Sequence, residues 1–594
     1  MRDIMTNMLP PPFIFIIGAL LVPLMRGRVK SVFMLLLPAV AFLTLLKMPE
    51  GKYWVANLAG NDIIFGRVDR LSMAFGYIFT IISFIGILFA LKVKDDLQHV
   101  SALMYAGGAL GVTYAGDFFS LYIFWEVLAI SSTFLILARR TKSSQAAAYR
   151  YILVHVVGGL CLLAGIVVYV QETGSVEFGY IGLGGLGSWL IFIGIALNAA
   201  IPPLHSWLQD AYPEATVTGA VFMSALTTKC AVYVMARTFP GTELLIWVGA
   251  FMAAIPLFWA VLENDIRRVL AYSIISQGGF MMTGIGIGTT LAINGAVSHA
   301  FACILYTALL FMSAGSVLHM TGKIRCTELG GLYKTMPYTA VCCIIGAASI
   351  SAFPLFSGFT SKAMTVTAAA KEHLPVIWFM LQFASAGVFH HAGIKVPFFT
   401  FFSEDSGIRA KEPPFNMCLA MGIAAFLCIF LGVYPYPLYN ILPFPVDYVP
   451  YTSFHVLGML QLLMFGALAF TLLVLSGHYP AEQRAVNLDT DWFARILGRK
   501  FLWFCENPLI KLGNFLDRTV LRTASAVSKS SPAGAVGCEH GMDKFYHVGL
   551  TSTPTIIYNW VKHLRTETGY SPWNIIYIFI SFIGFLIVMF LLGR

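Results

Sequence analysis

Charge is what this sequence has little of. Asp, Glu, Lys and Arg make up 11% of its 594 residues, less than half of the roughly 25% found in soluble domains. A chain so poor in charge cannot cover a large water-facing surface, and a sizeable soluble domain is excluded. The ten cysteines contain no C-x-x-C pair, and Cys342 and Cys343 are adjacent inside an apolar run, so neither disulfides nor a metal cluster is expected. No flavin, iron–sulfur or nucleotide site is expected either, because glycine pairs such as Gly184–Gly185 do not open a strand–helix unit. The chain should therefore carry no cofactor and no catalytic site of its own, and any redox chemistry would belong to partners. The net charge of +9 would suit nucleic acid only if the basic residues formed a patch. They are spread over short loops, and nucleic acid is excluded as a partner.

What is present is apolar length. Hydrophobic residues form 58% of the chain, and runs of about 17–25 residues recur from Pro11 to Ser476, with one more from Trp573 to Leu592, enough for roughly 14–16 bilayer-spanning helices. The fold class is thus an all-α polytopic membrane protein. The basic loops RGRVK (26–30), KVKDD (92–96), RRTK (139–142), ENDIRR (263–268) and GKIR (322–325) fall on one side if the spans alternate, while QETGSVEF (171–178) falls opposite. The positive-inside rule makes the basic side cytoplasmic and the N-terminus external, as in a multi-pass protein of the cell's inner (plasma) membrane. No A-x-A-like site follows the first apolar run, which is read as a retained span.

Four zones follow: residues 1–70, two spans and a polar outer loop (48–70); 71–476, a dense helical core; 477–572, an amphipathic segment; and 573–594, a last span. The core is interrupted by prolines at NAAIPPLHSWLQDAYPEAT (198–216) and HHAGIKVPFFTFF (390–402). Such breaks persist in a bilayer where protein or a wet cavity satisfies the freed backbone, and two of them are a transporter signature. From Asp491 to Ser528, Trp, Phe and Leu mix with Arg, Lys and Asp at near-helical spacing, which fits a helix lying in the membrane interface.

Inside the apolar core stand Glu126, Lys229, His299 and Lys395. Each alone has a plain reading, as a packing histidine, an interhelical contact or a snorkelling lysine. Together, on separate spans and at about 2.5–3.5 kcal/mol for each full charge, they are best explained by one shared, wetted polar axis. Such groups carry protons when their surroundings bring their proton affinities towards neutrality. Asn198, His205, Thr307 and His155 are candidate supporting polar groups.

At these residues the chain resembles a known family. FWE within a span, PLHSWLQDAYPEATVTGAVFMSALTTKCAVYVMAR, NDIRRVLAYSIISQGG, ALLFMSAGSV and SGFTSK are similar, in the same order, to the antiporter-like membrane subunits of respiratory complex I and of Mrp-type Na+/H+ antiporters, with the Mrp D subunit most similar. The resemblance spans about residues 70–435. It implies about 14 core helices with two inverted five-helix repeats, each holding a broken helix, and a hydrated lateral proton path at mid-membrane depth. By layout, the amphipathic segment and last span look like a short version of the lateral arm on the distal complex I subunit. The resemblance makes Glu126 the family's glutamate, Lys229 its central lysine and His299 the first His of H-x-x-x-H-x-x-x-K. Two departures stand out. Cys303 and Thr307 occupy the next two positions of that pattern, and Asn198, seven residues before His205, replaces the lysine that in the family partners the glutamate.

The expected function is a proton-translocating subunit of a multisubunit cation (Na+)/proton antiporter or redox-driven pump, possibly within a NADH dehydrogenase- or hydrogenase-like complex, with other membrane subunits, protons, Na+ and lipid as partners. The alternatives are a transport-inactive membrane scaffold, which Asn198 and Thr307 favour, and the membrane partner of an inorganic-carbon uptake complex.

Overall fold

The computed structural model describes residues 8–58, 61–480, 489–515, 518, 519 and 522. Two compact units divide the chain, Met1–Asn487 and Leu488–Arg594. The first begins with α1 (Pro11–Leu21) and α2 (Gly27–Lys47). The expected outer loop is a two-stranded antiparallel hairpin, β1 (Gly51–Leu58) with β2 (Asn61–Val68), in register Gly51 to Val68 and Leu58 to Asn61. There follow α3 (Arg70–Ala90), α4 (Asp96–Tyr114), α5 (Phe118–Leu137), α6 (Lys142–Thr173), α7 (Leu186–Asn198), α8 (Ser206–Ala211), α9 (Gly219–Ala225) and α10 (Thr227–Thr238). Next come α11 (Glu243–Ala254), α12 (Pro256–Leu262), α13 (Ile266–Ile287), α14 (Thr290–Thr321), α15 (Pro337–Ile350), α16 (Ser357–Lys371) and α17 (Pro375–Val388), and then α18 (Phe415–Val433), α19 (Tyr436–Asn440) and α20 (Ser453–Leu475).

Among the described residues nine helices are long and apolar enough to cross a membrane, and three shorter apolar ones accompany them. This is a multi-pass membrane protein. Its loops form two layers. In one, Gly116 N–H donates to Ile64 O on the hairpin at 2.9 Å, Phe118 N–H to Val176 O at 2.9 Å, and Arg237 clamps Asp69 through two 2.8 Å bonds. In the other, Arg139 meets Glu214 at 3.1 Å, Arg267 donates to Pro213 O at 2.9 Å, Cys326 N–H to Asn264 O at 2.9 Å, and Ser406 Oγ to Gly330 O at 3.0 Å. Consecutive loops alternate between these layers, and the basic loops 139–142, 263–268 and 322–325 all sit in the second. Asp69 caps α3, and although burial opposes ionisation, the charge and hydrogen bonds of Arg237 hold its carboxyl below the ordinary range.

Breaks in the helices do not all fall where prolines suggest. The first does: α7 stops at Asn198, and the chain runs irregularly to His205 through a cis Pro202–Pro203 bond before α8. The segment 390–402 is a correction, for α17 continues without interruption as π-helix over Phe389–Lys395 and Phe398–Phe402. The wider π turn takes up the ring of Pro397 that a tighter α turn would reject. The second long interruption lies instead at residues 351–356, between α15 and α16. A third, at Leu226, splits the span of Lys229 into α9 and α10.

The second unit contains α21 (Asp491–Phe504), which passes into a π turn at Cys505–Leu509. The glycine- and serine-rich stretch 528–537 and the expected last span 573–594 lie outside the described residues.

Candidate functional site

The two long breaks share one backbone device. After α7, Ala200 N–H donates to Leu197 O at 3.1 Å and Ile201 N–H to Ala196 O at 3.0 Å, with Ala200 left-handed at φ 57°. After α15, Ala352 N–H donates to Ser349 O at 3.1 Å and Phe353 N–H to Ala348 O at 3.0 Å, with Ala352 at φ 58°. Both are Schellman caps, but alanine stands where glycine usually does. A helix that ends inside apolar surroundings still presents unsatisfied carbonyls and the negative end of its dipole. What meets them differs. At the first break the Trp207 indole donates to Leu197 O at 2.9 Å; at the second the Lys362 ammonium donates to Ile350 O at 3.0 Å.

Two more buried lysines do likewise. Lys229 donates to Ser224 O at 2.8 Å across the Leu226 break, while Tyr105 OH accepts from Thr227 N–H at 3.0 Å on its other side. Lys395, on the π segment, donates to Val261 O at 2.6 Å and Glu263 O at 2.7 Å, at the C-terminal end of α12 in the basic loop layer. All three lysines are at most 1% exposed.

Histidines stand between them. His299 has Lys229 and Lys362 as charged neighbours, and His391 has Lys362 and Lys395. His299 Nε2 lies 3.0 Å from Gln277 Oε1 and its Nδ1 lies 3.2 Å from Ser361 Oγ; that hydroxyl also reaches Ser357 O at 3.0 Å. His391 Nδ1–H donates to Gly387 O at 2.7 Å, and its Nε2 lies 2.8 Å from Ser273 Oγ, which reaches Val269 O at 2.9 Å. Each serine has one proton and two claims on it. It donates to the bare imidazole nitrogen when the ring is neutral, and turns to the carbonyl, accepting from the ring, when the nitrogen is protonated. Both protonation states are fully hydrogen-bonded, so exchanging a proton leaves no orphaned group at either histidine.

Of the sequence-derived residues, Lys229 is thus an electrostatic neighbour of His299, and Lys395 is one of His391. Glu126 does not join them: its carboxyl is buried against α6, where a Cβ on Gly159 would stand 2.1 Å from its Oε1, and Tyr122 one turn back is its near polar neighbour. His155 packs against Trp207 with ring centroids 4.6 Å apart. Asn198 is the last residue of α7, and neither its Oδ1 nor its Nδ2 has a protein partner among the described residues. His205 is buried at the start of α8. Thr307 is spent locally, donating to Cys303 O at 2.6 Å, whereas the Cys303 thiol faces the Lys229 ammonium.

Reading the sequence missed Lys362 and His391. Lys362 was passed over although SGFTSK stood among the family-like motifs; its helix restarts at Ser357 after the break and carries the lysine inside the protein. The doublet in HHAGIK carried a usable signal, because His391 and Lys395 are four residues apart in an apolar stretch.

Comparison with known proteins agrees with this architecture. Residues 115–388 match the family described as NADH:quinone oxidoreductase/Mrp antiporter, transmembrane. Over that stretch, just under half of its length, the chain is similar to these antiporter-like membrane subunits. The A subunit of the Na+/H+ antiporter of Alkalihalophilus pseudofirmus is 29% identical over 72% of this chain and 60% of its own length, so the chain spans about 60% of that relative. The motifs suggested a D subunit, whereas this relative is an A subunit. Among solved structures, the membrane-bound sulfane sulfur reductase, an archaeal respiratory membrane complex, contains a chain that superposes with a TM-score of 0.65 at 24% identity, covering 73% of this chain and 95% of that one. A chain of the Mrp complex from Dietzia sp. DQ12-45-1b gives 0.62 at 20% identity, covering 76% and 95%. At these identities the structures speak for the fold.

Proposed function

We propose that this chain is the proton-translocating membrane subunit of a multisubunit Na+/H+ antiporter or complex I-like assembly in the inner membrane, with its basic loops cytoplasmic. Protons pass along Lys229, His299, Lys362, His391 and Lys395, and the supporting fold is read as 14 core helices in two inverted repeats. One observation carries this: three buried lysines sit on helix ends, joined by two histidines whose serines accommodate either protonation state. A lysine held at such a helix end has a basic nitrogen that can give up a proton and take it back. Lys395, bonded to the carbonyls beside the 263–268 loop, is the cytoplasmic end of the path. Glu126 belongs to a separate polar group in the N-terminal half and reaches Lys229 through intervening residues.

The test is proton flux in proteoliposomes of the complex purified through a tag on this chain. Lys229→Met and Lys362→Met should each abolish flux with the subunit content unchanged. Normal flux in both would leave a scaffold that has lost transport.

A further inference from the structure

The N-terminal half poses a chemical problem. Glu126 is a buried carboxyl whose expected cationic partner is replaced by Asn198, and an amide cannot take up a proton near neutral pH. Three observations bear on what does. His155 lies on α6 one four-residue step before Gly159, the residue whose missing Cβ makes room for the Glu126 carboxyl, so ring and carboxyl share one face of the helix about one turn apart. The ring is 1% exposed, and its Nδ1 lies 2.9 Å from Tyr151 O; a carbonyl only accepts, so Nδ1 carries the proton and Nε2 is the exchangeable nitrogen. That Nε2, like both polar atoms of the Asn198 amide, has no protein partner among the described residues. The same face of α6 receives α7, where a Cβ on Gly158 would meet Leu197 Cδ2 at 3.2 Å, and Trp207 binds both sides, bonding Leu197 O and packing on the His155 ring.

Buried polar atoms left open in pairs call for bridging water. We propose that His155 is the proton partner of Glu126, through water held by the Asn198 amide, so that this half of the protein works with a carboxylate–imidazole pair where a lysine would otherwise stand. A proton leaves the Glu126 carboxyl and arrives on Nε2. The ring then carries N–H on both nitrogens, keeps Nδ1–H on Tyr151 O, and returns the Nε2 proton to the same water. Nothing is oxidised or reduced, and no covalent bond other than to hydrogen changes.

The inference rests on the proton-conducting reading above, and the test separates the two. Flux is measured in proteoliposomes of the tagged complex for His155→Gln, which keeps a polar atom near Nε2 without a basic nitrogen, and for His155→Asn, which keeps the Nδ1 donor and loses Nε2. Each should lower flux by about tenfold or more, with subunit content unchanged. Adding Asn198→Lys to either should restore flux to within about threefold of Asn198→Lys alone, because a cation then faces Glu126 directly. Wild-type flux in both His155 variants, or a loss that Asn198→Lys leaves unrepaired, overturns the proposal. Lys229→Met and Lys362→Met are run alongside: if both conduct normally, the proton-conducting reading itself fails, whereas flux lost there and kept in the His155 variants removes only the role of His155.

Discussion

The two broken helices make a natural experiment. α7 and α15 end in the same Schellman geometry, with an alanine left-handed at φ 57° in one and 58° in the other, yet an indole meets the first and an ammonium the second. The indole adds to a carbonyl that already accepts from Ala200 N–H at 3.1 Å, so no charge is needed at the first break. A hydrogen bond from a charged donor returns about 1.5–3 kcal/mol against about 0.5–1.5 for a neutral one, and putting the charge there costs roughly 2.5–3.5. On that balance the charge of Lys362 brings the fold no net gain. Its charge is better explained by what a lysine can do and an indole cannot, which is to give up a proton and take it back. The histidines repeat the contrast. His155 and His391 both anchor Nδ1–H on the carbonyl four residues earlier, but the other nitrogen of His391 meets Ser273, whereas that of His155 has no protein partner among the described residues.

This contrast is sharpest in flux. Lys362→Met should reduce proton flux by about a hundredfold, while Trp207→Phe, which removes one of the two donors to Leu197 O and leaves Ala200 N–H, should cost roughly 0.5–1.5 kcal/mol of stability and leave flux within about threefold. Equal losses in the two variants, read in the same proteoliposomes with thermal unfolding as the stability measure, would erase the distinction between the halves. Next in size is Gly159→Ala. Its Cβ would land 2.1 Å from Glu126 Oε1, so the carboxyl must move, at about 1–3 kcal/mol and a several-fold loss of flux. Gly158→Ala beside it meets chiefly the flexible end of Leu197, at 3.2 Å, and should be near neutral in both measurements. Smaller again is Ser273→Ala, which deprives His391 of the hydroxyl that serves both protonation states; a flux loss of about two- to fivefold is expected, at a stability cost near 1 kcal/mol.

Much of this was legible in the chain itself. Apolar run length and the basic loops gave the membrane class and the two loop layers, and Lys229, His299 and Lys395 stood out because ionisable residues in apolar spans are expensive. What stayed hidden depended on backbone events that side-chain pattern does not record. Proline marked the break at 198–205, but Pro397 was absorbed by π winding, and the split at Leu226 has no proline at all; it is held by Tyr105 from 122 residues away in sequence. Lys362 was passed over although SGFTSK was noticed, and it is the restart of α16 that carries it inside the protein. Asn198 was noticed as a departure, but that its amide would have no protein partner among the described residues follows from the end of α7 at that residue and from no local sequence signal.

The mildest difference between the halves lies in their loops. On the basic side the N-terminal half is tied by Arg150 to Asp210 at 2.6 and 2.9 Å, and the C-terminal half by Asp405, which binds Lys334 at 2.8 Å and Arg409 at 2.7 Å. Hydrogen bonds from Arg409 and Lys334 pull the Asp405 carboxyl well below the ordinary carboxylate range. A depressed folded-state value means that the stabilisation is present above the unfolded value of about 3.9 and fades as pH falls through the folded one. Because the pair is exposed and salt-screened, its contribution is small. Asp405→Asn should therefore leave proton flux at neutral pH unchanged and lower the unfolding temperature only slightly there. Below about pH 4 the wild type should lose this small advantage, and the two melting curves should converge as acid is added. Divergence on acidification, or a flux defect at neutral pH, would show that the clamp governs more than the docking of residues 403–414 onto the 322–336 loop.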